Sequence, residues 1–181
     1  MNLKQEADQI LYDLGLLNIL KKYGEPHTTG GYYMNSLIWR DLDITLVQEI
    51  FTEEKFFSLV CDIGITLKPY YFDGGVYRDE SYLFGCETKI IGEPWSIDMR
   101  LCNEEEHMKG RQYCERIVAR TTAEPHLRQL ISEVKQAAIN AGMYGIGKNP
   151  NRHYHSAEIY SAVLDDRIDS VEEFFERYEP K

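Results

Sequence analysis

The sequence predicts an α+β fold, in which a small mixed β-sheet is flanked by helices and followed by a C-terminal helical lobe. Two runs, 41–47 and 95–101, alternate strictly between apolar and polar residues, the pattern of strands with one buried face. Helical patterns precede the first run and fill the chain from Asn103 onward. The change of pattern near residue 103 predicts a core domain over 1–102 and a helical lobe over 103–181.

The core domain is predicted to alternate between helices and strands. Apolar residues at helical spacing predict a first helix over 3–22, in which Gly15 is a candidate break. Turn residues at 73–75 and 92–94 separate the later strands. The remaining predicted elements are a short strand ending near Thr29, a short helix over 32–37, a strand over 41–47, a helix over 53–63, and strands over 68–72, 81–91 and 95–101.

The C-terminal lobe shows three helix-start signals, each a small polar residue followed three positions later by glutamate. These are Asn103 with Glu106, Thr121 with Glu124, and Ser170 with Glu173. An apolar stripe from Leu127 ends at Gly142, residues 143–152 have loop composition, and helices are predicted over 156–164 and 171–178.

Composition limits the classes of function. The formal net charge is −10, which argues against a partner bound through a nucleic-acid backbone and favours small or cationic ligands. No apolar run approaches a membrane span, and the N-terminus lacks the apolar core of a signal peptide. The four cysteines form no CxxC pair. We therefore expect reduced thiols and a cytoplasmic protein without membrane contact.

Three carboxylates are the candidate chemical centre. Asp41 and Asp43 lie on the polar face of the first alternating strand, about 7 Å apart along the backbone. Asp98 lies on the polar face of the second and joins them if the two strands pair. Three like charges held together require protonation or a cation. The pattern predicts a divalent-metal site of the kind that supports phosphoryl transfer.

A glycine pair, Gly30-Gly31, precedes the first acidic strand. Glycines allow backbone N–H groups to approach a phosphate closely, and a following short helix would add further donors. A plain tight turn is the alternative interpretation of these two glycines.

Together these features resemble the signature of the nucleotidyltransferase superfamily: a glycine pair, a D-x-D strand and one later acid. The segments GGYYMNSLIWRDLDI, FGCETKIIGEPWSIDMRL, ARTTAEPHLRQLISEVK and SAEIYSAVL are similar to small bacterial nucleotidyltransferase-domain proteins. They are more distantly similar to antibiotic-modifying lincosamide and aminoglycoside nucleotidyltransferases. Two positions depart from the signature, because Thr29 replaces an apolar residue and Gly31 stands where serine is more common.

The resemblance implies a Mg²⁺-dependent enzyme that transfers a nucleoside monophosphate from an NTP such as ATP and releases pyrophosphate. Asp41, Asp43 and Asp98 would be the catalytic residues and would ligate two Mg²⁺ ions. Thr29, Gly30, Gly31 and Lys148 would bind the nucleotide. The expected acceptor is a hydroxyl of a small, possibly cationic, molecule rather than a nucleic acid, and the protein is expected to be a monomer or homodimer.

Two rivals remain open at this stage. The chain could be a catalytically inactive nucleotide-binding or regulatory protein with the same fold, which Gly31 in place of serine favours. It could also be the antitoxin half of a two-component pair, although GGYYMN lacks the arginine of that class of loop. Arg40 is expected to serve as a surface or helix-packing charge, and Arg100 as a structural ion-pair partner.

Overall fold

A computed structural model describes residues 2–50, 52–76, 82–145 and 153–181. The chain divides into two compact units, Met1–Cys114 and Glu115–Lys181. The division falls inside a long helix, and each unit is described here by itself. The predicted boundary between residues 102 and 103 stays a prediction.

The first unit is built on a five-stranded mixed sheet with strand order β1-β2-β5-β4-β3. The β2 and β5 strands run parallel, and the other neighbouring pairs run antiparallel. The strands are β1 Glu25–Thr28, β2 Asp41–Val47, β3 Tyr71–Val76, β4 Tyr82–Thr88 and β5 Trp95–Cys102.

The N-terminal helices and the helix after β2 pack against the apolar face of this sheet, whereas the short helix at Gly30 lies beside Asp43 on the other face. The N-terminal helix predicted over 3–22 is interrupted, because Gly15 adopts φ +77°, a left-handed conformation that glycine tolerates. The helical elements are α1 Leu3–Asp8, a π-helical segment Gln9–Asp13, α2 Leu16–Leu20, α3 Gly30–Tyr33, α4 Glu53–Leu67 and the start of α5 Glu104–Ala123.

The core of the first unit lies between these helices and the apolar face of the sheet. The alternating apolar residues of β2 and β5 are all buried, as predicted, and they pack with buried residues of the N-terminal helices and α4. The opposite face of the sheet carries the polar residues. Burial of one face fixes strand register, because a slip of one residue would turn every apolar side chain outward.

In its described residues, the second unit contains the end of α5 and three further helices, α6 Pro125–Asn140, α7 Ser156–Leu164 and α8 Val171–Arg177. Helix α6 buries one apolar stripe, which includes Leu127, Ile131 and Val134. The Ser170 side chain accepts a hydrogen bond from the backbone N–H of Glu173 and caps α8, as predicted. Among the described residues, no helix is long and apolar enough to span a bilayer.

The short helix predicted over 32–37 is observed at Gly30–Tyr33, and the strand predicted over 68–72 at Tyr71–Val76. Two further local predictions are wrong. The segment Asp73-Gly74-Gly75, predicted as a turn, lies inside β3, because its pairing with β4 continues through these residues. Thr121 does not start a helix: its hydroxyl bonds the Ile117 carbonyl within α5. Helix α6 instead begins at Pro125, whose fixed φ suits the first helical position.

Candidate functional site

The three predicted aspartates converge on one point. Strands β2 and β5 are parallel neighbours, with Asp43 directly opposite Asp98 and Asp41 opposite Ser96. One carboxylate oxygen from each of Asp41, Asp43 and Asp98 lies within 4.8 Å of the others. Within the described part of the chain, this is the one group of three or more such side chains close enough to hold a metal ion.

Local sequence explains why these side chains point away from the core. Leu42 and Ile44 flank Asp43 and are fully or almost fully buried, while Ile97 and Met99 do the same for Asp98. Side chains alternate along a strand, so burial of the flanking residues directs both carboxylates to the opposite face.

Loss of hydration and neighbouring negative charge both act on the Asp98 carboxyl. The pKa of its carboxyl is raised to about 6, first because surrounding protein atoms reduce its hydration, then because of the negative charges of Asp43 and Glu87. Part of the Asp98 side chain is exposed to solvent, so water or a cation can reach it. A bound cation would relieve the repulsion, as expected for metal ligands.

The glycine pair lies against the same carboxylates. The Thr29 backbone N–H donates a 2.8 Å hydrogen bond to the Asp43 carbonyl, which carries the chain alongside β2. Gly30 follows with φ +55°, and a Cβ atom at this position would lie 1.7 Å from Oδ2 of Asp43. Only glycine can place the backbone this close to the acid without displacing it.

A cleft of about 420 Å³ opens over this face of the sheet. Residues of β2, β3, β4 and β5 line it, together with Thr29. They include Asp43, Asp73, Gly85, Asp98 and Arg100. The cleft therefore joins Thr29, which precedes the glycine pair, and two of the three candidate metal ligands in a single cavity.

The basic residues considered from the sequence have different surroundings. Arg40 donates two hydrogen bonds to Glu6 of α1, at 2.7 and 3.1 Å, and so acts as the helix-packing charge that was predicted. Nη2 of Arg100 lies 3.7 Å from Oε1 of Glu106, in agreement with the predicted ion-pair role of Arg100. Arg100 also lines the cleft. Lys148 lies outside the described residues.

No protein-family model matches the sequence, and no curated protein matches it. Comparison with solved structures finds the Cid1 poly(U) polymerase bound to MgATP, at 14% identity and a TM-score of 0.68, over 90% of this chain and 49% of that one. The poly(A) polymerase complex GLD-2–GLD-3 matches at 10% identity and a TM-score of 0.64, over 98% and 58%. Terminal uridylyl transferase 4 from Trypanosoma brucei matches at 12% identity and a TM-score of 0.57, over 97% of this chain and 59% of that one.

The chain has a nucleotidyltransferase fold. The resemblance stated from the sequence is thereby confirmed at the level of the fold, as is the α+β architecture of a mixed sheet flanked by helices. The chain spans about half to three-fifths of the length of these solved structures. At such low identity the likeness concerns the fold alone.

The expectation of a small-molecule acceptor that excludes nucleic acid is wrong. The matching solved structures include an RNA terminal U-transferase and the polymerase core of TRAMP, an RNA surveillance complex. Net charge misled the sequence interpretation because it averages over the whole surface, whereas an acceptor contacts only a local patch.

The sequence pattern does not identify three residues near the acids. Its composition predicts a turn at Asp73, and Gly85 and Glu87 lie within a run predicted only as a strand. Glycine inside a strand often marks a close backbone approach, and that signal was available at Gly85. The contribution of Glu87 to the raised pKa of Asp98 depends on strand pairing, which local sequence does not show.

Proposed function

We propose that this protein transfers a nucleoside monophosphate from an NTP to a terminal hydroxyl of an RNA acceptor and releases pyrophosphate. The observation that carries the proposal is the convergence of three carboxylates within 4.8 Å, beside a glycine turn that contacts one of them. The names of the solved structures with this fold, which describe RNA polymerases and terminal transferases, support RNA as the acceptor.

The donor set fits Mg²⁺. This ion prefers oxygen ligands, often one or two carboxylates combined with substrate phosphates, and the three aspartates supply hard oxygen donors at one point. Some of the matched structures contain Mg²⁺ together with a nucleotide. We assign two ions to Asp41, Asp43 and Asp98. Bound there, they would neutralise negative charge on the phosphates and orient the reacting oxygens.

The residues of the chain then take distinct roles. Backbone N–H groups of Gly30 and Gly31 and the hydroxyl of Thr29 hold the β- and γ-phosphates. Asp98 accepts the proton of the attacking hydroxyl while the hydroxyl oxygen forms a bond to the α-phosphorus. The bond from the α-phosphorus to the bridging oxygen breaks, and pyrophosphate leaves. In the metal-free protein, loss of hydration and the charges of Asp43 and Glu87 raise the pKa of Asp98 to about 6, which marks this carboxylate as the candidate proton acceptor.

Isothermal titration tests the first half of this proposal. Wild-type protein should bind Mg-ATP or another Mg-NTP, whereas the double variant Asp41→Asn, Asp43→Asn should lose that binding and keep its circular dichroism spectrum. Asp13→Asn is the matched control, because Asp13 is an exposed carboxylate outside the candidate site. Equal nucleotide binding by the wild type and the double variant would exclude the metal-bridged site.

Pyrophosphate release tests the second half. Wild-type protein with Mg²⁺, NTP and short RNA should release pyrophosphate, and Asp98→Asn should reduce that rate at least a hundredfold. The alternative is a nucleotide-binding protein without transfer activity, favoured by Gly31 at a position where serine is more common. Nucleotide binding without pyrophosphate release would support this alternative. The nucleotide contact of Lys148, a cytoplasmic location and a monomeric or homodimeric state remain predictions.

A further inference from the structure

A row of residues crosses the sheet from one edge to the other on the face that carries the acids. Asp43 of β2 pairs with Asp98 of β5, Asp98 with Gly85 of β4, and Gly85 with Asp73 of β3. Thr29 extends the row beyond β2 through its hydrogen bond to Asp43. Because directly opposed residues point to the same face, Asp73 joins the cleft although it lies two strands from Asp98.

Gly85 leaves space between the carboxylates of Asp98 and Asp73. A Cβ atom at Gly85 would lie 2.7 Å from Oδ1 of Asp98, so any side chain there would press on the acid. Neighbouring strands are about 4.8 Å apart, which places the backbones of Asp98 and Asp73 roughly 10 Å apart. The interval between their carboxylates has no side chain from β4 and can admit a substrate group.

The in-line geometry of the transfer reaction indicates which substrate group enters this interval. In an in-line displacement the attacking oxygen approaches opposite the leaving group. If the glycine turn at the β1 side of the row holds the leaving pyrophosphate, the attacking hydroxyl must approach from the β4 and β3 side. The interval over Gly85 is therefore on the acceptor side of the α-phosphorus, a conclusion that depends on the proposed function.

Charge restricts what the acceptor side can contact. Asp73 and Glu87 both belong to the polar face of this half of the sheet. Arg100 also lines the cleft, but its guanidinium lies 3.7 Å from the Glu106 carboxylate, which offsets its charge. Carboxylates repel phosphate groups, but they accept strong hydrogen bonds from hydroxyls. The part of an RNA acceptor that can bind beside these carboxylates is its terminal ribose, whose two neighbouring hydroxyls project beyond the last phosphate.

We propose that Asp73 accepts a hydrogen bond from the 2′-hydroxyl of the terminal ribose while Asp98 contacts the attacking 3′-hydroxyl. Asp73 would thus select an acceptor that ends in a vicinal diol over one that ends in 2′-deoxyribose. The Tyr71 hydroxyl donates a 3.2 Å hydrogen bond to Oδ2 of Asp73 and orients the carboxylate. The role of Asp73 is one of specificity, distinct from the transfer chemistry assigned to Asp98.

Fluorescence anisotropy with two labelled oligoribonucleotides tests this inference. Both have the same sequence, but one ends in ribose and the other in 2′-deoxyribose, and both are titrated with protein in Mg²⁺ and a nonhydrolysable ATP analogue. The wild type should bind the ribose end about tenfold more tightly, as expected for one charged hydrogen bond. Asp73→Ala should abolish the preference by weakening only the ribose-ended ligand, Asp73→Asn should retain part of it, and Asp13→Asn should retain all of it.

Each other outcome overturns the inference. A wild type without preference would do so, as would an unchanged preference in Asp73→Ala. Binding of Mg-ATP without binding of either oligonucleotide would overturn the role of Asp73 and leave the nucleotide site intact. Absence of Mg-ATP binding would instead remove the proposed function itself, and the calorimetric titration described above detects that case separately.

Discussion

Gly30 and Asp43 are in such close contact that a single added carbon would collide with the carboxylate, at 1.7 Å from Oδ2. This relationship couples the glycine turn to the acid that it faces. The turn adopts φ +55° at Gly30, so its shape and the position of Asp43 depend on each other. A substitution at Gly30 is therefore a test of the whole candidate site.

We predict that Gly30→Ala weakens Mg-ATP binding at least tenfold, because the methyl group displaces the Asp43 carboxylate from its metal-binding position. Calorimetric titration measures the change. Gly15→Ala is the matched control: Gly15 also has a positive φ of +77°, but its Cβ would meet nothing within 4 Å. The control should show only backbone strain, about 1 kcal/mol of lost stability, and unchanged nucleotide affinity. Unchanged affinity in Gly30→Ala would contradict the prediction.

Asp98 should make the metal-free protein less stable as the pH rises. Its folded pKa of about 6 is above the value of 3.8 for an unperturbed aspartate, so the folded state binds the proton more tightly. This contribution to the free energy of unfolding is complete below pH 3.8 and is lost as pH rises through about 6. Urea titrations at pH 4.5 and 7 should show the loss in the wild type and not in Asp98→Asn.

Magnesium should reverse that loss at neutral pH, since metal binding requires the ionised carboxylate. We expect added Mg²⁺ to raise the urea midpoint of the wild type at pH 7 and to have a much smaller effect at pH 4.5. An equal effect of Mg²⁺ on the wild type and on Asp98→Asn would be inconsistent with ligation by this residue.

The stacked histidines should produce the opposite pH dependence. His107 is buried against His27, with ring centroids 4.2 Å apart, and its pKa is lowered first by burial and then by the charge of His27. A lowered folded pKa gives stability that is present above the unperturbed value of 6.5 and is lost as pH falls through the folded pKa. His107→Phe keeps an aromatic ring and should abolish this acid-side loss, measured by urea unfolding between pH 7 and 5. A loss of stability equal to that of the wild type would refute the assignment.

Glu6 should contribute to stability far more than an exposed glutamate. It accepts hydrogen bonds from Arg40 at 2.7 Å and from the indole N–H of the fully buried Trp95 at 3.2 Å. Glu6→Ala leaves the buried indole without an acceptor, which should cost about 1–3 kcal/mol. Glu105→Ala is the control, because Glu105 pairs with Lys109 at the surface and should change stability by less than about 0.5 kcal/mol. Thermal unfolding of both variants provides the comparison.

Strand periodicity was the most informative signal in the sequence. The bounds of β2 were predicted in full, and β5 differs from its prediction by one residue at its end. Strict alternation identified which face each aspartate would occupy. The glycine at position 15 also marked the helix interruption correctly, because only a left-handed backbone conformation was needed there.

Other elements depended on partners far along the chain. Asp73-Gly74-Gly75 has the composition of a turn, yet pairing with Gly85, Phe84 and Leu83 of β4 holds it in an extended strand. Local composition reports the preference of an isolated segment, and hydrogen bonding to a neighbouring strand overrode that preference. This difference is what brought Asp73 into the cleft.

By itself, the sequence determined that Asp41, Asp43 and Asp98 are on the polar faces of two strands, since alternation and burial are local properties. Only the tertiary structure decided that these strands are parallel neighbours, that Gly30 contacts Asp43, and that Asp73 lies in the same row as Asp98. Strand order depends on burying the apolar faces of the whole sheet at once, and no local segment contains that information.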